Sequence, residues 1–490
     1  MDSGHLPRIL FKLGVRLGFF AAIARWILGQ RITAVMGLTW KAAFRFRLFL
    51  VVAALLLASV IGLPILIKDD GTARGFTQIL LTYTLSTITG LLGISTLWLA
   101  CGTLARDIEE CQLQMVAVKP IPRWQIWVGK WLGIMGLNAV LLALSGASVF
   151  CLLQWRANKL PQSEQAILRN EVMVARGSAK PENLDKRIEQ ATQELVKERL
   201  SKNPVSQADL PEVIKQVREQ VKAELQVVPP GYMRPWRIDL GFAKNFLRDR
   251  PLQLRIKFNS ADKSPSGTFD GVWRLGVPKQ TPNIWQSELM SLAPDTFHEF
   301  EVPPNLFDEN GILTVVFINP NNTALLFPLD DGFEVLYREG TFGPNFARGL
   351  GIIFCWMGLL AALGLTAASF LSFPVAAFFA LGVLTLVFST STLSNAVSEG
   401  TIGGYNAEKG GHSGTPADLV IIPVFKGILA IINLARGFSP IDSLSTGRNI
   451  SWQQLGLAFA QIIVLLGGIV AISGILIFNR RELATAQGTQ

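Results

Sequence analysis

The chain has 490 residues and a mass of 53.6 kDa; half of its residues are hydrophobic, only 17% are charged, and the mean hydropathy is +0.36. A soluble globule of this length carries about a quarter charged residues, so the composition excludes a purely soluble array of domains. None of the four cysteines (Cys101, Cys111, Cys151, Cys355) falls in the large hydrophilic insert, which excludes a disulfide framework there.

In chain order, residues 1–47 carry eight Lys/Arg against Asp2 alone. Within them, Leu6, Ile9, Leu10, Leu13, Leu17 and Phe20 alternate with Arg8, Lys12 and Arg16. That pattern is a basic amphipathic helix on the inner leaflet, or topological ballast ahead of the first span. No small-residue cleavage site follows, so a removed signal peptide is not expected.

Five stretches then contain no Asp, Glu, Lys or Arg: Leu48–Ile67, Gly75–Ala105, Trp131–Trp155, Gly349–Ser398 and Asn449–Asn479. About 20 helical residues cross the hydrocarbon core. The fourth stretch is too long for one crossing, and Pro374 marks a turn inside it. The expectation is an α-helical polytopic membrane protein of about six spans, grouped as 48–155 and 346–490 around an insert. Trp98, Trp155 and Trp452 stand near span ends, as an aromatic belt requires.

The insert reads as two segments. Residues 156–228 are rich in Glu, Lys, Gln, Ala and Leu, with Ile188, Leu195, Val213, Val217 and Val221 at helical steps. Asn203–Pro204 breaks the pattern and Asp209 before Pro211 restarts it, so two or three charged helices are expected, in a hairpin. After Pro229–Pro230–Gly231 the texture turns to strands. Leu252, Leu254, Ile256 and Phe258 alternate with polar residues, and Ile312–Ile318 and Phe333–Tyr337 are bounded by turn residues. Residues 229–345 are therefore expected to form a β-sandwich. Glu299–Val315 is weakly similar to carbohydrate-binding jelly rolls, and Trp236, Trp273 and Trp285 are either core residues or a sugar-stacking surface. In the last third, Leu419–Ala435 is apolar except for Lys426, with Pro423 and Pro440 flanking that lysine. Residues 419–440 read as interfacial or re-entrant helices.

The excess charge lies in three places: residues 1–47, the 101–130 loop, and the tail with Arg480 and Arg481 against Glu482. The insert 156–348 balances 25 basic against 25 acidic residues. Short basic segments stay in the cytoplasm, so both termini and the 101–130 loop are expected inside, and the insert outside. Topology thus accounts for the basic balance, and no nucleic-acid partner is expected.

Catalytic chemistry is not legible. His5, His298 and His412 lie in three separate segments, so no metal cluster or catalytic dyad assembles by spacing. Gly129–Lys130 is followed by Trp131, and position 124 is Trp, so the phosphate-cradling loop of a nucleotide site is missing. The spans carry no ionisable residue, which argues against an ion-coupled carrier. Their polar residues, including Thr84, Thr89 and Asn138, suit helix–helix hydrogen bonding better than a translocation path. No enzyme and no bound cofactor or metal is expected in this chain.

The informative segment is Arg106–Lys130. Asp107, Glu109 and Glu110 make an acidic first turn, Leu113, Val116 and Ala117 an apolar side, and Lys119-Pro120-Ile121-Pro122 a sharp end before Arg123 and Gly129–Lys130 open the next span. A short stiff helix held between two spans carries force from a cytosolic partner. With Glu109/Glu110, Pro120, Ile121, Arg123, Gly129 and Lys130 in order, Ser439–Gly447 before the last span, and Arg480-Arg481-Glu482-Leu483 after it, the chain resembles the permeases of export-type ABC (type 2) transporters. The resemblance covers roughly 300 residues; the insert departs from it.

It implies a membrane subunit in the bacterial inner membrane, paired with a second permease chain as a homo- or heterodimer. It implies a separate cytosolic ATPase, holding ATP and Mg, that contacts residues 106–130. Two other functions remain open: an ABC-type subunit that transmits force to the insert and an envelope partner without transport, and a membrane-anchored module whose insert binds a glycan or a partner.

Overall fold

The computed structural model describes residues 29–481 except 46–47, 67–71, 111–120, 169–171, 182–183, 203–209, 261, 263, 265, 279, 330, 400–404, 407–410, 413–417 and 437. Residues 6–28, with the expected amphipathic helix, lie outside the described residues, as do Lys119, Pro120 and Glu482. The chain divides into two compact units, Met1–Met173 with Thr341–Gln490, and Val174–Gly340.

The first unit is mainly helical, with one short antiparallel strand pair, Tyr405–Asn406 with Gly411–His412. Its first half runs α1 (Gln30–Arg45), α2 (Leu48–Leu66), α3 (Ala73–Glu109), α4 (Arg123–Ala157) and the short α5 (Gln162–Ile167). Helices α3 and α4, of 37 and 35 residues, exceed what a bilayer core needs. At 1.5 Å per residue each is more than about 50 Å long, so their ends project beyond any apolar slab. The two are free of Asp, Glu, Lys and Arg over 75–105 and 131–155 respectively.

The second half of this unit is α8 (Phe342–Ala368), α9 (Phe373–Phe388), α10 (Thr390–Glu399), α11 (Asp418–Arg436), α12 (Pro440–Ser445) and α13 (Trp452–Arg480), with α6 and α7 belonging to the other unit below. The long charge-free stretch breaks after Ala368 and restarts at Phe373, with Pro374 in the first turn, where its missing N–H costs nothing.

Among the described residues, four helices are long and apolar enough to cross a membrane: α3, α4, α8 and α13. The first and fifth of the six expected spans correspond to shorter apolar helices, Leu50–Leu63 in α2 and Phe373–Val387 in α9. A third short apolar helix, Val420–Leu434 in α11, covers the stretch around Lys426 with Pro423 inside it. The apolar stretch of α8 is 56% buried and that of α13 only 22%, so α8 is central and α13 peripheral. Trp155 and Trp452 are exposed, with Lys159 Nζ 3.7 Å above the first ring and the Arg348 guanidinium 5.5 Å from the second. Cations lying on rings at helix ends suit a membrane–water boundary.

Helix α1 has no counterpart among the expected spans. It buries a stripe of Ile32, Val35, Thr39 and Ala43. The stripe packs on a line of glycines in α4. A Cβ on Gly129 would stand 2.8 Å from Val35 Cβ, one on Gly133 2.8 Å from Thr39 Cβ, and one on Gly136 2.8 Å from the Trp40 ring. Such approach needs glycine, and the indole N–H of Trp40 donates to the Gly133 carbonyl at 2.9 Å.

The second unit begins with a strand, β1 (Val174–Ala179), inside the stretch expected to be helical. A hairpin of α6 (Asp185–Lys202) and α7 (Leu210–Gln226) follows, closed by Ile188, Val217 and Val221. Then come β2 (Val227–Val228), β3 (Met233–Asp239), β4 (Leu252–Ile256), β5 (Asn259–Ser260), β6 (Phe269–Leu275), β7 (Trp285–Gln286), β8 (Met290–Leu292), β9 (His298–Val302), β10 (Ile312–Ile318), β11 (Leu325–Leu326) and β12 (Phe333–Thr341). Sheet β1-β12-β4-β9 and sheet β3-β10-β6-β7, with β8 beside β6, bury one shared core; β2-β11-β5 closes a third, small sheet.

Trp236 and Trp273 are inside that core: Trp236 stacks on Phe333 at 5.1 Å, and Trp273 packs on Phe317 at 4.7 Å. This removes two of the three tryptophans from a sugar-stacking surface and leaves Trp285 half-buried against the same core. Strand β10 alternates as expected, whereas Arg255 in β4 is buried. Its guanidinium pairs with Glu334 at 3.1 Å, and Arg176 on β1 pairs with Glu299 on β9 at 3.0 Å. The first and last strands of the unit are neighbours, and a Cβ on Gly340 would lie 3.6 Å from Ala175 Cβ.

Candidate functional site

One end of the helical unit gathers the C-termini of α3, α8 and α13 and the N-termini of α4 and α9. Each terminus leaves backbone groups without intrahelical partners. The residues singled out in the sequence supply several of those partners from neighbouring helices.

Arg123 opens α4, following Pro122, which has no capping side chain. Its Nη1 reaches the end of α13 and donates to the carbonyls of Phe478 (2.9 Å), Asn479 (2.9 Å) and Arg481 (2.7 Å). The carbonyl end of a helix carries about half a negative charge, so a fixed cation is favoured there. Arg481 repeats the device one helix further on. Its Nη1 donates to the Ser369 carbonyl at 3.1 Å and the Ala368 carbonyl at 3.4 Å, where α8 ends.

Glu109, in the last turn of α3, performs the opposite task. Its Oε1 accepts the Phe373 N–H at 2.9 Å, the first backbone donor of α9. A carboxylate at a helix N-terminus satisfies an orphan N–H and opposes the positive dipole end. Arg106, one turn earlier, lies 4.6 Å over the Phe373 ring, and Trp98 meets that ring edge-on at 5.1 Å.

Lys130 is only 6% exposed, two turns into α4. Its Nζ donates to the Thr103 carbonyl at 2.8 Å and to Asp107 Oδ2 at 2.5 Å, tying α4 to α3. Asp107 keeps about a third of its side chain in contact with solvent (35%). Gly129 beside it serves α1 instead, through the contact with Val35.

Glu110 closes α3 with its N–H on the Arg106 carbonyl, and Arg480 ends α13 exposed. Thus Arg106, Asp107, Glu109, Arg123, Lys130 and Arg481 are brought together as fasteners between helices. Phe373, Thr103 and the carbonyls of Ala368 and Phe478 receive them, and sequence reading missed all four. Only Phe373-Pro374 offered a signal, as a helix start.

Deeper in the bundle, Thr96 on α3 donates to Asn138 Oδ1 on α4 at 3.1 Å and approaches Met357 Sδ on α8 at 3.7 Å. The Nδ2 of Asn138, 2% exposed, has no partner among the described residues. Thr84 bonds within its own helix, to the Leu80 carbonyl at 2.6 Å.

The arrangement is mechanical. Charged side chains hold the dipole ends of neighbouring helices. Among the described residues no group of three or more His, Cys, Asp or Glu could hold a metal ion. No family model, curated protein or solved structure matches this chain.

Proposed function

We propose that this chain is the membrane subunit of an export-type ABC transporter, driven by a separate cytosolic ATPase and working with a second permease chain. The observation that carries the reading is the fastening of four helices by residues flanking the 111–120 segment. Glu109 holds α9, Lys130 holds α3, and Arg123 holds α13, whose Arg481 in turn holds α8. A push on residues 111–122 would reach all of these helices through charge-assisted bonds rather than through flexible loops. The charge-free lengths of α3, α4, α8 and α13 and the basic flanks support a bacterial inner-membrane location with both termini inside. ATP and Mg belong to the partner; this chain supplies no catalysis.

Glu109 and Arg123 are already engaged within the chain, so the surface offered to an ATPase falls between them. The test is purification of the tagged chain in mild detergent with mass spectrometry and an ATPase assay. The expected result is a stoichiometric ATPase that remains bound to the Glu109→Ala/Arg123→Ala chain but loses its regulation by the membrane subunit. A chain that purifies alone and without ATPase activity would overturn the reading.

A second reading, force transmission to an envelope partner without transport, is favoured by the size and compactness of the Val174–Gly340 unit. Replacing that unit by a short linker separates the two. Transport retained in part supports the permease; loss of all function with ATPase coupling intact supports the transmitter.

A further inference from the structure

Helix α13 is uneven along its length. It is α-helical over Trp452–Ala458 and Gly468–Arg480, but the nine residues Phe459–Gly467 between them are π-helical. π-turns are rare, occur mostly as single turns inside α-helices, and are frequent at functional sites. This one is longer and ends on Gly467–Gly468, the residues with the least preference for any helix short of proline.

Both halves around it are held. Before it, Ser451 and Gln454 form a reciprocal cap, and Asn345 on α8 accepts the Ile450 N–H at 2.7 Å while donating to the Arg448 carbonyl at 2.8 Å. After it, Thr366 on α8 donates to the Val470 carbonyl at 2.9 Å, Gly474 seats against the same threonine, and Arg123 grips the carbonyls of Phe478, Asn479 and Arg481. The wide segment between has Ile462 fully buried, yet Phe459, Val464 and Leu465 are 52%, 60% and 47% exposed. Gly467 fits the wide register closely: a Cβ there would lie 3.2 Å from the Ile462 carbonyl five residues back.

We propose that Phe459–Gly467 is a joint in α13, changing between π and α register so that the two anchored halves turn against each other. Release of one residue's worth of winding rotates one half by about 100° and shifts it by about 1.5 Å, the increments of an α-helix. A helix fixed at both ends by side chains of α4 and α8 can turn one half against the other only if its middle yields. The wide segment is where hydrogen bonding is already re-registered. The inference concerns the chain alone and holds without a partner ATPase.

The test is hydrogen–deuterium exchange of the full chain in lipid nanodiscs. Amides of residues 460–467 should exchange at least about tenfold faster than those of 454–458 and 470–478 in the same helix. Deleting Leu465 removes the surplus residue and should bring the segment to the protection of its neighbours, whereas Leu465→Ala keeps the fast exchange. Gly467→Ala, which crowds the wide register, should slow exchange in the same direction as the deletion. Uniform protection across 454–478 in the wild-type chain overturns the joint whatever the variants do. So does unchanged exchange in both the deletion and Gly467→Ala chains.

Discussion

Arg123 and Phe478 stand 355 residues apart in sequence, yet the guanidinium of the first donates at 2.9 Å to the carbonyl of the second. With the Asn479 and Arg481 carbonyls also on Nη1, one side chain closes the end of α13. A cation at a helix C-terminus is worth about 0.3–1 kcal/mol when exposed and up to about 2 when partly buried. Arg123→Ala should therefore loosen the last turn of α13, and Arg123→Lys should retain part of the hold. Exchange of amides 478–481 checks this, with Arg480→Ala, at the exposed end of the same helix, as the unaffected control.

The Asp107–Lys130 pair should behave asymmetrically. Asp107→Ala leaves a buried ammonium with only the Thr103 carbonyl, a loss we place at about 1–3 kcal/mol because Asp107 is partly solvated. Asp107→Ala/Lys130→Met removes both charges and should recover most of it. Apparent melting temperatures of the purified chains measure the difference. A double variant no more stable than Asp107→Ala would refute the account.

Thr96 and Asn138 give a sharper version of the same argument. Thr96→Val strips the donor from Asn138 Oδ1 while the amide stays buried, costing about 1–3 kcal/mol. Thr96→Val/Asn138→Leu removes the polar pair, including the unpartnered Nδ2, and should melt at or above the wild-type temperature.

Glycines on two helices should respond in opposite ways. Gly133→Ala presses on Thr39 and the α1 backbone and should expose residues 30–45 to protease. Gly90→Ala meets nothing within 4 Å and should be neutral or stabilising, by up to about 1 kcal/mol. Equal sensitivity at the two positions would sink the packing argument for α1.

The four long helices were legible because hydrocarbon tolerates no unpaired charge, and charge-free runs of sufficient length leave few alternatives. Ile312–Ile318 was legible because one face is core and the other is not. Leu252–Ile256 was only half legible: Arg255 is polar by type but buried by its pairing with Glu334. Helix α1 escaped because Arg31, Lys41 and Arg45 dominate its composition, while the signal sat on the partner helix as Gly129, Gly133 and Gly136. Strand β1 escaped because Val174–Ala179 follows a charged tract and contains Arg176, whose partner Glu299 is 123 residues away. The contacts of the motif residues were not legible because, the Lys130–Asp107 pair and the Arg106–Phe373 contact apart, the groups they bind are backbone carbonyls and one amide, which any sequence would supply.

The neighbouring strands β1 and β12 bear on how such a chain is put together. The 174–340 unit departs and returns through Ala175 and Gly340, whose facing positions are one van der Waals contact apart. A segment with adjoining ends can be spliced into a loop, exchanged for another, or lost, with only a few residues of slack left to close. The helical scaffold would see each as the same short connection. Relatives of this chain could then share its helix-end fasteners while carrying quite different cargo between residues 173 and 341.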